Sequence, residues 1–205
     1  MTTEKPRTRI QQKNREAILE GALEAFSADG FKGATLDAIA QAAGLSKPNL
    51  LYYFQSKEEI HRTLIETLLD VWLAPLHDID AHGDPVDQII SYVLRKLEMS
   101  RDMPRESRLF ANEVLQGAPH INATISGGLR ELVKRKARLF QTWIDQGRLA
   151  QVDPKHLIFS IWATTQHYAD FAVQVEGILG GDEAERYDAA AEFLEVFYRR
   201  ALTPS

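Results

Sequence analysis

The sequence predicts an all-α protein, and three observations support that fold class. Apolar residues recur at spacings of three and four, as they do on one face of a helix, for example at Ile18, Leu19, Ala22, Leu23 and Phe26. Cap residues, prolines and glycines stand where such segments begin and end. No segment of useful length alternates apolar and polar residues as a half-buried strand does. We predict about nine helices, with a small three-helix unit at the N-terminus and a larger helical bundle after it.

The first two helices can be placed from the residues that flank them. The first is predicted over 11–29, with Gly30 as its stop, and the second over 36–43, with Thr35 as its N-cap.

The third and fourth helices have equally clear limits. The third begins at residue 46 or 47 and ends near Phe54. The run Ser-Lys-Glu-Glu at 56–59 is a capping box, in which the serine and the last glutamate each accept a hydrogen bond from the other's backbone amide. It opens a long apolar helix that Pro75 ends or kinks.

Similar signals continue downstream. Asp84-Pro85 and Asp153-Pro154 each place a cap residue before a proline at the first helical position. Met103-Pro104 separates two further helices, and Gly180-Gly181 precedes a last helix at about 183–202.

Composition and charge narrow the class of protein. The chain has 205 residues, a formal net charge of −5, 44% apolar residues and no cysteine. This length allows one large or two small domains, and the apolar content is enough for a real core. The lack of cysteine excludes disulfides and thiolate metal sites. Because no leader-like segment and no run of about 18 apolar residues appear, we expect a soluble protein of the reducing cytoplasm.

Basic residues are concentrated at the N-terminus. Residues 1–15 carry five basic side chains against one acidic, which leaves +4 in an acidic chain; the five are Lys5, Arg7, Arg9, Lys13 and Arg15. Such an arm favours a local anionic partner, although a solvated tail explains the charge equally well.

The segment TLDAIAQAAGLSKPNLLYYFQSK, residues 35–57, has the pattern of a helix-turn-helix. Gly44 supplies the left-handed backbone that such a turn needs. Apolar residues are spaced to pack its two helices together, namely Ile39, Ala40, Ala43, Leu45 and Leu50. The residues left for an outer face are Ser46, Lys47, Pro48, Asn49, Tyr52 and Tyr53.

These residue types suit DNA. Lysine ammonium groups and tyrosine hydroxyls reach phosphate oxygens, and Asn49 offers a donor and an acceptor to a base edge. Backbone amides at a helix N-terminus also favour phosphate. Lys57 begins the fourth helix, where its charge opposes the helix dipole, so its position needs another reason, of which a phosphate partner is one.

Core packing is the alternative for the aromatic residues. Phe54 is expected to lie in the core and not on the surface. Tyr52 and Tyr53 project about 100° apart on a helix, so we expect at least one of them to be exposed.

The same segment resembles the DNA-binding region of the TetR family of transcriptional repressors. The matching residues are Thr35, Ile39-Ala40, Ala43-Gly44-Leu45-Ser46, Asn49-Leu50 and Phe54-Gln55-Ser56-Lys57-Glu58, and Ala17-Ile18-Leu19, Ala22, Phe26 and Gly30-Phe31 match the family's first helix. Leu51 departs from the pattern, because the family often has tyrosine there, and Tyr52 and Tyr53 can take over its phosphate contact. The resemblance implies a homodimer that reads a palindromic operator and a helical body that binds a small inducer.

Two domains and a DNA-binding set are therefore expected. Residues 1–54 would bind DNA, and residues 55–205 would bind the ligand and dimerise. The expected DNA-binding residues are Thr35, Ser46, Lys47, Pro48, Asn49, Tyr52, Tyr53 and Lys57.

The rest of the chain is similar to one subgroup of that family, which regulates pyrimidine utilisation. The similarity is carried by Asn49–Phe54, Asp70–Pro75, Ser107–Phe110, Gly117–Pro119, His156–Phe159 and Ile161–Glu176. It implies a repressor of pyrimidine-related genes that uracil or thymine releases from its operator.

A ligand site can also be sought from the residues alone. Trp162, Thr165, Gln166 and Ala169 share one helix face, and Trp72 lies in an apolar stretch of the fourth helix. Two indoles and an amide suit a planar heterocycle, whose imide edge the amide can pair with. With further polar groups on the middle helix, including Arg101, the expected ligand-binding residues are Trp72, Lys96, Ser100, Trp162, Thr165 and Gln166.

Each of these residues also has a structural interpretation. Tryptophan at helical spacing is usually core, and Gln166 can bond a neighbouring helix or a dimer mate. The six histidines show no metal-binding spacing, and no nucleophile–base set or phosphate-binding loop is present. We therefore expect no metal, no other cofactor and no enzyme activity. A different planar or amphipathic inducer is the alternative to a pyrimidine.

The last two helices carry more apolar residues than one bundle obviously needs. These are Phe171, Val175 and Ile178 on one helix and Phe193, Val196 and Phe197 on the other. They can form a four-helix dimer interface or cover their own core.

Overall fold

The computed structural model describes residues 8–204, and helices form all of the regular structure in that range. No β-strand occurs among these residues, which confirms the predicted fold class. The helices are α1 (Arg9–Gly33), α2 (Leu36–Ala42), α3 (Lys47–Tyr53), α4 (Lys57–Asp78), α5 (Pro85–Asp102), α6 (Pro104–Leu115), α7 (Asn122–Thr124), α8 (Arg130–Asp145), α9 (Pro154–Asp170), α10 (Ala172–Leu179) and α11 (Glu183–Leu202). A π-helical segment, Ile125–Leu129, joins α7 to α8. None of the described helices combines the length and apolar character that a membrane-spanning helix needs.

The described residues fall into two compact units. The first holds residues 8–68 and 108–121, and the second holds residues 69–107 and 122–204. Helices α4 and α6 therefore contribute residues to both units. The functional division expected between residues 54 and 55 stays a prediction, because compactness alone does not assign a function to either side.

In the first unit, α1 lies against α2 at short range. Ile18 and Phe26 of α1 and Ile39 of α2 are fully buried. Gly21 permits the approach, since a Cβ built at that position would lie 2.9 Å from the amide nitrogen of Ala43 and 3.0 Å from the carbonyl oxygen of Ile39. A side chain larger than hydrogen would push the two helices apart.

The predicted stop at Gly30 is a break within α1. Gly30 has φ +68° and ψ 172°, a conformation that residues with a Cβ rarely adopt. One more turn follows before the helix ends at Gly33.

The turn between α2 and α3 is a Schellman motif centred on Gly44, which has φ +66°. The Leu45 amide donates to the carbonyl of Ala40 at 2.9 Å, and the Gly44 amide donates to that of Gln41 at 3.0 Å. These two bonds end α2 and set the direction in which α3 leaves it.

Half of the predicted capping box at the start of α4 forms. The Ser56 hydroxyl accepts from the Glu59 amide at 3.1 Å, as predicted. The Glu59 carboxylate accepts from the amide of Gln55 at 2.7 Å, one residue before the predicted partner. Helix α4 continues through Pro75 to Asp78, because a proline in the last turn costs the helix only one backbone hydrogen bond.

One hydrophobic core, built from α5, α8, α9 and α11, holds the second unit together. At its centre Phe140 and Trp143 stack with ring centroids 5.5 Å apart. The predicted caps are present: the Asp84 carboxylate accepts from the Asp87 amide at 3.0 Å, and Asp153 caps α9.

Part of the apolar surface of α10 and α11 lies outside the core of the protomer. Phe171, Ile178, Phe193, Val196 and Phe197 are all exposed. Val175, which lies on the same helix as Ile178, is buried.

We expect Gly21→Ala to destabilise the protein. Helix propensity alone favours alanine by up to about 1 kcal/mol. The added methyl group, however, meets two backbone atoms of α2 within 3.0 Å, and overpacking of this kind typically costs about 1–3 kcal/mol. Denaturant unfolding measures the difference. Gly127→Ala is the matched control, since a Cβ there has no neighbour within 4 Å. Unchanged stability of Gly21→Ala would contradict the close approach.

Candidate functional site

The start of α3 presents a continuous exposed surface. Its exposed residues are Ser46, Lys47, Pro48 and Asn49. Leu50, the next residue, is fully buried, so α3 is anchored from one side and open on the other. Two hydroxyls hold the helix starts in place: Thr35 accepts from the Ala38 amide at 3.1 Å, and Ser46 accepts from the Asn49 amide at 3.4 Å.

Lys47 is the cation of this surface. Its ammonium lies 2.9 Å from a carboxylate oxygen of Asp37, and both side chains are exposed. Ion pairs between exposed side chains contribute little, about 0–1 kcal/mol. A phosphate oxygen can therefore replace Asp37 as the partner of Lys47 at small cost.

The two tyrosines have different surroundings. Tyr52 is 71% exposed, and its hydroxyl lies 3.5 Å from the side-chain nitrogen Nε2 of Gln11. Tyr53 is half-buried, and its hydroxyl accepts from the Asn14 side chain at 2.8 Å. The expectation that at least one tyrosine is exposed agrees with this arrangement, and Tyr52 is the more accessible of the two.

The basic residues predicted to form an arm at residues 1–15 do not all have the same surroundings. Lys5 and Arg7 lie outside the described residues. Arg15 is used within the protein, because its guanidinium lies 4.0 Å from the centre of the buried Phe54 ring and donates to the Tyr53 carbonyl at 3.1 Å. Arg15 therefore holds the end of α3.

Lys57 also has partners inside its own unit. Its ammonium donates to the carbonyls of Phe31 at 2.7 Å and Ala34 at 2.8 Å, and it lies 4.6 Å from the centre of the Phe31 ring. These contacts explain a cation at a helix start without any DNA. Sequence reasoning missed them because the partners lie 26 and 23 positions away.

Lys96 is a buried cation among the predicted ligand-binding residues. Its side chain is 4% exposed, and its ammonium lies 4.6 Å from the centre of the Trp72 ring. Burial lowers the pKa of Lys96 to about 8, and the Asp170 carboxylate acts in the opposite direction. A desolvated ammonium can donate strongly to a carbonyl or anionic oxygen of a ligand.

Ser107 and Asp170 form a further polar pair that sequence reasoning did not assign. The Ser107 hydroxyl donates to the Asp170 carboxylate at 2.5 Å, and Ser107 is fully buried. The two residues are 63 positions apart, so no local pattern could have identified the pair.

The two predicted indoles make different contacts with α5. Trp162 donates its indole N–H to the Tyr92 hydroxyl at 2.7 Å. Tyr92 lies on α5, one helical turn before Lys96. Burial raises the pKa of Tyr92, so this hydroxyl stays protonated. Trp162 also lines an open cavity of about 400 Å³, whose lining does not include Trp72 or Gln166. The predicted single pocket with both indoles as walls is therefore not the cavity at Trp162.

The remaining predicted ligand residues make local contacts. Thr165 donates to the Ile161 carbonyl at 2.7 Å, and Ser100 donates to the Lys96 carbonyl at 3.0 Å, both within their own helices. Gln166 is half-buried, one turn after Trp162. Thr165 and Ser100 are fully buried, and their hydroxyl oxygens can still accept one hydrogen bond each.

Comparison with known families matches both parts of the chain. A profile described as bacterial regulatory proteins of the tetR family matches residues 18–63. A second profile, described as the C-terminal region of YcdC-like proteins in the TetR group, matches residues 65–205.

Individual known proteins are similar to this chain in sequence or in fold. The HTH-type transcriptional regulator RutR of Escherichia coli (strain K12) is 49% identical over 174 residues, which cover 85% of this chain and 82% of that relative. The ketosteroid transcriptional regulator KstR2 of Mycobacterium tuberculosis shares the fold with a TM-score of 0.71 at 18% identity, with 100% of both chains covered. AibR, solved in complex with isovaleryl coenzyme A and operator DNA, has a TM-score of 0.69 at 19% identity, covering 90% of this chain and 97% of that one.

We expect Lys96→Met to remove a pH-dependent part of the stability. The pKa of Lys96 falls from its ordinary value of 10.5 to about 8 on folding. The unfolded chain therefore binds more protons between these values, and the free energy of unfolding rises with pH across that window. The rise is at most about 3 kcal/mol, at about 1.4 kcal/mol per pKa unit.

Urea unfolding of Lys96→Met across the same window should show a smaller rise with pH and a higher stability at neutral pH. Lys134→Met is the control, because Lys134 is partly exposed and pairs with Glu131 at 2.7 Å. Equal pH profiles for the wild type and Lys96→Met would contradict the buried ammonium.

Proposed function

The chain belongs to the TetR family of bacterial transcriptional regulators, and we propose that the small molecule it responds to is a pyrimidine base, uracil or thymine. It is a ligand-responsive DNA-binding regulator of the repressor type and not an enzyme. Regulators of this family bind operator DNA and small-molecule ligands and form dimers.

The observation that carries the pyrimidine proposal is the buried ammonium of Lys96 against the Trp72 ring. A pyrimidine base is flat, so it suits an indole wall, and its carbonyl oxygens suit a desolvated ammonium. The amide of Gln166 can accept from an imide N–H and donate to the adjacent carbonyl. The 49% identity to RutR supports the same ligand class.

For DNA, we propose that the exposed start of α3 faces the operator. Asn49 would contact a base edge, while Lys47 and Tyr52 would contact phosphates. Thr35, Ser46 and Pro48 would shape this surface, the two hydroxyls by capping α2 and α3. Tyr53 and Lys57 would act chiefly by positioning, because their polar atoms already bind Asn14 and the end of α1. Residues 1–54 would thus carry DNA binding, and residues 55–205 ligand binding and dimerisation.

The exposed apolar residues of α10 and α11 are the proposed homodimer interface. Two helices from each protomer would pack as a four-helix bundle about a two-fold axis. Such a dimer reads a palindromic operator whose half-sites are about 34–36 Å apart, one turn of DNA.

Release from the operator follows from linkage. A ligand lowers the affinity for DNA only by its differential affinity for the two states of the protein. The operator must in turn weaken ligand binding by the same factor.

A second inducer class is favoured by one observation. The cavity at Trp162 combines apolar walls, including Phe159, with the cations Arg130, Lys134 and Lys155. These groups suit an amphipathic anion better than a neutral base. The regulator would be the same, with a different inducer.

Calorimetry with uracil and thymine tests the ligand assignment. We expect binding to the wild type and a loss of about tenfold or more in Lys96→Met, which removes a charged contact worth roughly 1.5–3 kcal/mol. Gln166→Leu should also weaken binding, since it removes neutral hydrogen bonds worth roughly 0.5–1.5 kcal/mol each. Lys134→Met, at the other cavity, should bind as the wild type does. If Lys134→Met loses binding and Lys96→Met does not, the ligand occupies the cavity at Trp162. If neither base binds the wild type, the pyrimidine assignment fails.

Operator binding over a range of salt concentrations tests the DNA surface. We expect Lys47→Ala to lower the log–log salt slope by about 0.9, the value for one lost phosphate contact on duplex DNA. Asn49→Ala should keep the slope but relax the sequence preference at one position, at a cost of about 1–3 kcal/mol. Lys134→Ala is the control for loss of a cation elsewhere. An unchanged slope in Lys47→Ala would place Lys47 away from the DNA.

A further inference from the structure

Three possible metal ligands that have no role assigned above meet in the first unit, beside the Phe31 ring that Lys57 also contacts. They are His61 on α4, Glu113 on α6 and His120 in the turn after α6. One nitrogen or oxygen atom from each lies within 4.8 Å of the other two. Sequence spacing could not reveal this group, because His61 is far from the other two in the chain.

An unusual turn brings His120 back onto Glu113. Gly117 and Ala118 both have positive φ, 91° and 54°, and the Ala118 amide donates to the Glu113 carbonyl at 2.9 Å. Ala118 is buried, and a residue with a Cβ adopts this backbone only when its surroundings enforce it. The His120 amide then donates to the Glu113 carboxylate at 2.7 Å, which fixes that carboxylate in place.

One nitrogen of the group has no protein partner. His61 is 2% exposed, and its Nδ1 makes no hydrogen bond among the described residues. This nitrogen is aimed at the group, 3.9 Å from a Glu113 carboxylate oxygen that also lies 3.1 Å from His120 Nδ1. Native proteins rarely leave a buried polar atom unbonded, so the atom calls for a ligand.

The surroundings favour a charged ligand. The ring of Phe31 packs 4.8 Å from that of His61 and 4.5 Å from that of His120, and Phe26 packs 4.9 Å from His61. This apolar wall covers one side of the group, where it lowers the local dielectric constant and strengthens electrostatic attraction between a cation and the carboxylate.

We propose that His61, Glu113 and His120 bind one divalent transition-metal ion of the zinc type. Two imidazoles and a carboxylate are the donor set that Zn²⁺ accepts, whereas Mg²⁺ and Ca²⁺ require oxygen ligands. In a tetrahedral site with bonds of about 2.0–2.1 Å, ligand atoms lie about 3.3 Å apart. The separations of 3.1 and 3.9 Å already approach that value. Solvent would supply the fourth ligand beside the partly exposed His120.

The proposal goes beyond the inducer function and does not depend on it. A bound ion would cross-link α4 to α6 and its following turn within the unit that also holds the helix-turn-helix. Because the ligands converge only in the folded state, the ion should stabilise that unit by mass action.

The test uses the full chain, stripped with a chelator and titrated with Co²⁺ and Zn²⁺. We expect one ion per chain by calorimetry, the intense visible absorption of tetrahedral Co²⁺, and a higher unfolding temperature with Zn²⁺. Glu113→Gln and His120→Ala should each weaken binding by at least tenfold. His82→Ala and His156→Ala, which remove exposed histidines elsewhere, should bind as the wild type does.

Three results would overturn the site. They are no tetrahedral Co²⁺ spectrum in the wild type, binding that survives both Glu113→Gln and His120→Ala, and binding lost in His82→Ala or His156→Ala. If Glu113→Gln and His120→Ala do not fold, NMR of the wild type decides, because Zn²⁺ must then shift the ring signals of His61 and His120 and leave those of the other four histidines unchanged.

Discussion

The exposed surface of α3 depends on the close approach of α1 to α2 at Gly21. With only a hydrogen atom on that side, the backbone of α2 comes to about 3 Å from where a Cβ would stand. The Schellman turn at Gly44 then sets the direction of α3, and buried Leu50 and Phe54 anchor it from within. Residues 46–49 therefore stay exposed, because the turn and the two buried side chains fix the position of α3. A surface supported in this way keeps its geometry whether or not a ligand is bound.

Two cations of the first unit already have partners within the fold. Arg15 lies over the Phe54 ring, and Lys57 bonds two carbonyls at the end of α1. A lysine at a helix start opposes the dipole by roughly 0.3–1 kcal/mol. Two charge-assisted hydrogen bonds, at about 1.5–3 kcal/mol each, outweigh that cost. The number of basic residues in the sequence therefore overstates the number of side chains free to contact phosphate.

Features that depend on residues close together in the sequence could be predicted, and features that depend on residues far apart in the sequence could not. The helices, the caps at Thr35, Ser46, Asp84 and Asp153, and the turn at Gly44 each depend on residues within a few positions of one another. The periodicity of a helix shows which residues share a face but not which neighbour that face meets. The different surroundings of Trp72 and Trp162 could not be predicted for this reason, and the cluster of His61, Glu113 and His120 could not be predicted either. The Glu59 carboxylate shows the same limit at short range, since it accepts from the amide of Gln55 and not from that of Ser56.

Each unit buries a titratable side chain in a largely apolar setting: Lys96, against the Trp72 ring, in the second, and His61, whose Nδ1 makes no hydrogen bond among the described residues, in the first. Burying a charged or polar group costs stability unless it is paired. Helices α4 and α6 are divided between the two units, and α4 carries both His61 and Trp72. A ligand that favours one placement of α4 must act on the helix that follows α3 directly in the chain. The strength of that action is bounded by the difference in ligand affinity between the two placements, whatever the total affinity. Tight binding alone would therefore leave the operator occupied, and only binding that distinguishes two states of the protein can release it.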